Sequence, residues 1–284
     1  MTRPTSNVAL TILTVLFLGG CDAAEFRMHA ADSAGRLSSP GTQSPYVCDP
    51  FEATTAKANE GLRGSIHYLD ASQPRYTVSS DYVTHGHELD AELYLSRVFA
   101  PTRVFDAGFT TDASKVLQDA NGQLLFEYFA FNLESQIKLA SGVTDGLYLL
   151  AIISDVGATL LAEDSSGAMS PLVANEGAHA TQMACATQAV AMNSSSRLPI
   201  SLSYFQGPRH HIAFVLMWRR VANAAGGLNE TECGKSGSTY FFSYDAATKT
   251  SVPQPAYQDL LARGWKPLAA QNFELASGVN LCAR

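Results

Sequence analysis

Residues 198–220, LPISLSYFQGPRHHIAFVLMWRR, constrain this chain more than any other stretch. Leu198, Ile200, Leu202 and Tyr204 alternate with Pro199, Ser201 and Ser203, the period of a strand with one covered face. Gln206, Gly207 and Pro208 break the run with turn chemistry: glycine tolerates positive φ, and proline removes a ladder donor. The second half carries Ile212, Phe214, Leu216 and Trp218 on one face, and Ala213, Val215 and Met217 on the other. A strand apolar on both faces belongs inside a sandwich or barrel. The corner between the two strands then sits at one end of it, where binding loops gather.

Residues 142–164, GVTDGLYLLAIISDVGATLLAED, form the partner hairpin. Tyr148, Leu150 and Ile152 alternate with Leu149, Ala151 and Ile153, and Ser154-Asp155-Val156-Gly157 turns the chain back into residues 158–162. Together the two hairpins resemble the protective-antigen fourteen-kilodalton domain, a β module of adhesins, glycosidases and toxins. The resemblance is carried by Gly146-Leu147-Tyr148, the Asp155 corner, Tyr204 and the strand closing on Trp218. Gly61-Leu62-Arg63-Gly64 looks like the family's opening strand. The expected fold is therefore all-β, an antiparallel β-sandwich or barrel over residues 47–220. A C-terminal extension, 221–284, packs on it and holds a short helix at 255–264, with Pro255 near the start and Gly264 past the end. Further strands are expected at 92–99, 103–109, 124–131 and 240–244.

In calcium-dependent lectins of this family, two adjacent Asp at the corner hold the ion, helped by an Asn in the later loop. The resemblance thus implies ligand-binding roles for Asp155 and for Gln206, with Asp164 as a compensating carboxylate one strand away. Arg209 and His210 stand in the same loop, where they either contact a ligand or cap the hairpin. Calcium is disfavoured: Val156 occupies the second carboxylate's place, and Ca²⁺ wants six to eight oxygens. No metal or other cofactor is expected. His85-Gly86-His87 and His179 read as loop or structural histidines, because no third metal ligand is identifiable near the first pair.

The chain opens with Arg3 and an apolar run at 8–18, too short to span a bilayer and matching a signal-peptide core. Leu18-Gly19-Gly20-Cys21 resembles the lipobox of bacterial lipoproteins. That implies a signal peptide, 1–20, and acyl chains on Cys21, each buried CH₂ adding about 0.8 kcal/mol to anchoring. Residues 21–46 are rich in Ala, Ser and Gly and read as a flexible tether. The expected location is the bacterial cell envelope, lipid-anchored, facing periplasm or exterior.

A formal net charge of −7 without a basic cluster disfavours nucleic acid as partner. Four cysteines besides Cys21 suit two disulfides in an exported chain, with three pairings open. Cys48 and Cys282 bracket the ordered region, and Cys185 and Cys233 flank the central hairpin, which favours Cys48–Cys282 and Cys185–Cys233. No G-x-S-x-G, H-E-x-x-H or phosphate-binding glycine loop occurs, so no catalytic residue is assigned and the chain is not expected to be an enzyme. Two function classes stay open: a binding module for a glycan or a surface protein, and a structural envelope lipoprotein without a small ligand.

Overall fold

The computed structural model describes residues 46–283 apart from 53–54, 105–109, 112–114, 209–210, 224–228 and 277. The signal peptide, Cys21, the tether up to residue 45, Arg209 and His210 lie outside the described residues. In chain order the strands begin with β1 (Tyr46–Cys48), β2 (Leu62–Tyr68), β3 (His87–Glu88), β4 (Glu92–Leu95) and β5 (Phe99–Val104). Next come β6 (Thr110–Thr111), β7 (Lys115–Val116), β8 (Phe129–Ile137), β9 (Gly146–Ser154) and β10 (Ala158–Glu163). β11 (Met169–Asn175), β12 (Gln182–Cys185) and β13 (Val190–Met192) lead to the central hairpin, β14 (Leu198–Gln206) and β15 (His211–Val221). The tail adds β16 (Phe242–Asp245), β17 (Thr250–Pro253), β18 (Lys266–Pro267) and β19 (Phe273–Glu274). Two short α-helices, Ser79–His85 and Pro255–Ala262, and a 3-10 turn, Ala270–Asn272, complete the set among the described residues.

One sheet runs β1-β4-β2-β8-β14-β10-β11, with β3 on β2 and β19 on β8. The other runs β12-β9-β15-β18, with β13 on β9 and β5 on β15. All pairings are antiparallel except β1 with β4. Among the described residues neither sheet closes on itself, so of the two expected architectures this is the open sandwich.

Sequence pattern explains the layering. On β14 the inward set Ile200, Leu202 and Tyr204 is buried, while Ser201 and Ser203 are half-buried. Tyr204 stacks across the core on Phe214 of β15, with ring centroids 4.5 Å apart. Each such ring contributes roughly 1.5–3 kcal/mol of burial. β15 is buried from Ile212 to Trp218 on both faces, as its composition requires. Its second face finds company in the tail, since Phe241, Phe242, Tyr257, Leu260, Trp265 and Leu268 join the same core. β18 pairs with β15 and β19 with β8, so the segment after the helix clasps both sheets.

Some sequence expectations shift. The strand expected at 124–131 starts only at Phe129, because Tyr128 adopts φ +54 and breaks the extended run. The expected 103–109 strand is the end of β5, and 105–109 lies outside the described residues. The tail helix stops at Ala262, and Gly264 follows at φ +89, a conformation without penalty only for glycine. Both favoured disulfides form: Cys48–Cys282 joins residues 234 apart, and Cys185–Cys233 joins residues 48 apart. No described helix is long and apolar enough to cross a membrane.

Candidate functional site

The Asp155 corner and the loop after β14 do converge. β9 ends at Ser154, whose hydroxyl donates to the Val156 carbonyl at 2.8 Å. The Asp155 N–H donates to Ala213 O of β15, and the Val156 N–H to His179 O. Val156 therefore sits at φ +63, a left-handed conformation that costs a β-branched residue about 1–3 kcal/mol. Gly157 must be glycine, since a Cβ there would run into the Phe205 ring and the Glu176 carboxylate.

The side chains at this corner turn inward. Asp155 is 5% exposed and accepts from the Thr181 hydroxyl at 2.9 Å. The Tyr204 hydroxyl donates to Gln206 Oε1 at 2.6 Å. Burial, with the Asp155 charge added, pushes that phenol well above its ordinary range. Gln206 is 0% exposed, and its Nε2 donates to the Pro208 and His211 carbonyls at 3.3 Å. Gln206 braces the loop in this structure, with both ends of its amide engaged internally. Asp164 stands apart from the corner. It lies past the far end of β10, and six residues of strand span about 20 Å. There its carboxylate ties a turn together, accepting from Ser166 and Ser170 hydroxyls and from Ser166 and Ala168 N–H groups. Those bonds, Ser166 first, hold its pKa at about 2. A buried carboxylate on a threonine, an alkyl group at 156 and a saturated amide do not make the oxygen-rich shell Ca²⁺ requires, so the corner does not fit calcium.

The histidines have local roles. His179 bonds the Asn175 and Ala180 carbonyls through its two ring nitrogens. His85 ends a helix, whereas His87 pairs with Asp70 at 3.0 Å, so the two do not act together.

A second arrangement, absent from the sequence reading, lies in the tail. The Cys185–Cys233 bridge pulls the 229–240 loop onto β12, where Gly234 N–H donates to Met183 O and Gly237 N–H to Thr181 O. Glu230 locks the loop from beneath. Its side chain is 1% exposed and accepts from Arg219, from Arg263 at 2.7 Å and from Trp265 Nε1 at 2.8 Å. Burial pushes this carboxyl up, but those hydrogen bonds and the Glu232 N–H together outweigh it, leaving the pKa below the ordinary value.

Between this loop and the start of the Pro255–Ala262 helix opens a groove of about 540 Å³, lined by Glu232, Thr239, Tyr240, Gln254, Pro255 and Asp259 among others. Tyr240 is 37% exposed. Its hydroxyl donates to Glu232 Oε2 at 2.8 Å, and its ring meets Phe241 edge-on at 4.9 Å. The Glu232 bond, followed by minor burial and the Glu232 and Asp259 charges, raises the phenol's pKa. An aromatic face is thus held still at an open, polar-rimmed cleft. The corner supports it: Asp155 grips Thr181, Thr181 O accepts the Gly237 N–H at 2.9 Å, and Gly237 O accepts the Tyr240 N–H at 3.0 Å. A chain of hydrogen bonds thus runs from Asp155 through Thr181 and Gly237 to Tyr240. The one clue in sequence was Tyr240 beside two acidic residues and a bridged cysteine; nothing local linked them to Asp259.

No family model matches the chain, and no curated protein matches it. Among solved structures it is similar to an anti-sigma factor domain-containing protein, with TM-score 0.41 and 10% identity over 78% of this chain. The chain spans about half the length of that protein, 49%. It is also similar to a PA14 sugar-binding domain from an RTX adhesin, with TM-score 0.42 and 11% identity over 57% of this chain and 91% of that one. For the PA14 domain of the MpAFP antifreeze protein the values are TM-score 0.43 and 15% identity, over 69% and 93% of the two chains. TM-scores below 0.5 do not establish a shared family, so nothing those proteins bind transfers to this chain by likeness.

Proposed function

We propose that this chain is an exported, lipid-anchored, non-catalytic binding module whose Tyr240 groove holds a glycan residue. The observation that carries the reading is the exposed Tyr240 ring, fixed through its hydroxyl to Glu232 in a cleft of about 540 Å³. A sugar ring offers one C–H face and several hydroxyls. The aromatic face suits the former, and Glu232, Asp259, Thr239 and Gln254 suit the latter. The carboxylates favour neutral over acidic sugars. The Cys185–Cys233 bridge and the Glu230 network keep the cleft preformed, which lowers the entropy lost on binding.

Catalysis is the poorer reading. Ser65 Oγ and His67 Nε2 approach to 2.8 Å, but His67 Nδ1 is buried without a partner. An activated nucleophile needs its base oriented by a third group, and that group is missing from this pair. The test is a glycan array probed with the purified chain, followed by Tyr240→Ala. The expected result is a set of neutral-glycan hits and at least a tenfold loss in the variant, about 1.4 kcal/mol, at unchanged Tm. An empty array, or full affinity in Tyr240→Ala, would overturn the reading. The anchor is tested separately: Cys21→Ser should lose labelling by a palmitate analogue, and unchanged labelling would remove it.

A further inference from the structure

Val279 and Leu281, at 55% and 59% exposure, are the most exposed large hydrophobic side chains among the described residues. They flank Asn280, which is buried and turned the other way. Asn280 Nδ2 donates to Glu60 O, its N–H donates to Ala58 O, and its Oδ1 accepts the Cys282 N–H. Cys282 is in turn bridged to Cys48. The loop is therefore pinned at its centre while two aliphatic side chains point away from the fold, an arrangement that does nothing for the core.

Its position suggests what covers them. Tyr46, the first described residue, packs against the Cys282 cluster, so the preceding chain enters the domain beside this loop. Cys21 lies about 25 residues upstream of that entry. We infer that Val279 and Leu281 rest in the headgroup–acyl boundary of the bilayer that holds Cys21. This inference depends on the lipid-anchor part of the proposed function.

Three features favour lipid over a protein partner. Two side chains are far too small for a stable protein interface, which needs about 800 Å² per partner, yet they suit shallow insertion at a membrane surface. A short tether holds the bilayer at high effective concentration, so a contact too weak for a free protein becomes populated. Lys57 and Arg63 flank the loop, next to Ala58 and Gly278 respectively, where they can meet anionic headgroups, although Arg63 also contacts Glu92. The resulting orientation leaves the groove free. β8 reaches Gln206 at its Phe129 end and the Gly61–Glu274 region, beside this loop, at its Ser135 end. The groove hangs from the corner through Thr181 and so lies toward the Gln206 end, opposite the loop.

The experiment uses the acylated full chain carrying Leu281→Trp, reconstituted in phosphatidylethanolamine–phosphatidylglycerol vesicles with acyl chains brominated near the headgroup. The native Trp218 and Trp265 are buried and supply a constant background. Expected are vesicle co-sedimentation, a blue shift and bromolipid quenching of the new Trp, with no quenching in a Leu261→Trp control on the tail helix. Co-sedimentation without quenching overturns the loop contact while leaving the anchor standing. Failure to co-sediment overturns the anchor and this inference together. A lipid-independent blue shift that grows with protein concentration overturns it in favour of a second copy of the chain.

Discussion

The 154–157 corner and the Tyr240 groove are made of the same chemistry: carboxylate, amide, threonine and tyrosine. They differ in where those groups direct their hydrogen bonds. At the corner, Asp155, Tyr204 and Gln206 bond inward and are buried. At the groove, Tyr240 and Glu232 bond each other and leave a ring face and a polar rim open. A buried polar group finds its partner within the protein and is shielded from a ligand, whereas an exposed one is open to solvent or ligand. On the proposed reading the corner is a support and the groove the contact surface.

The largest effect that would break this contrast is removal of the bridge behind the groove. Cys185→Ser with Cys233→Ser, which opens a 48-residue loop, should cost about 4 kcal/mol in urea titration, an upper figure from chain entropy. Glycan affinity should fall along with it. Retained affinity would show that the groove wall does not depend on the bridge. Glu230→Gln comes next, at about 3 kcal/mol, because it removes the buried charge that the mostly buried Arg219 and the partly exposed Arg263 share.

The same residue predicts acid sensitivity. Its folded pKa lies below its ordinary 4.5. The stability it supplies is therefore whole above pH 4.5 and is lost as the pH falls through the lower folded value. Thermal melts between pH 6 and 3 should show that limb flattened in Glu230→Gln; an unchanged limb would assign acid loss to other groups.

Asp155→Ala sharpens the link between the two regions. Leaving the Thr181 hydroxyl buried without its acceptor should cost about 2 kcal/mol. Because Thr181 carries Gly237 and hence Tyr240, affinity of the folded variant should drop several-fold. A stability loss with unaltered affinity would uncouple corner and groove. The smallest effect belongs to Tyr240→Phe, which keeps the ring and removes the bond to Glu232. Its stability should stay within about 0.5 kcal/mol, as for most surface changes. Affinity should fall less than in Tyr240→Ala, as calorimetry can measure.

Much of the framework was legible in the chain. Period-two alternation on β9 and β14 and the all-apolar β15 pointed to a sandwich or barrel, because strand faces leave direct marks on residue order, and the even cysteine count pointed to two bridges while leaving their pairing open. The positive φ of Val156 left no such mark, since a valine gives no warning of a left-handed turn; hydrogen bonds from Ser154 and to His179 impose it. The surroundings of Gln206 and Asp164 were illegible for a related reason. Both are polar residues beside turns, and residue type alone does not say which way a side chain faces.

The sequence by itself determined the strand periods, the central hairpin, the tail helix and the even set of cysteines, all properties of neighbours a few residues apart or of composition. Tertiary structure alone decided that Asp155 is enclosed, that the tail covers the outer face of β15, and that Glu232, Tyr240 and Asp259 share one cleft. Those outcomes depend on segments tens of residues apart meeting at particular distances, and solvent exposure is a property of the packed surface, not of any local run.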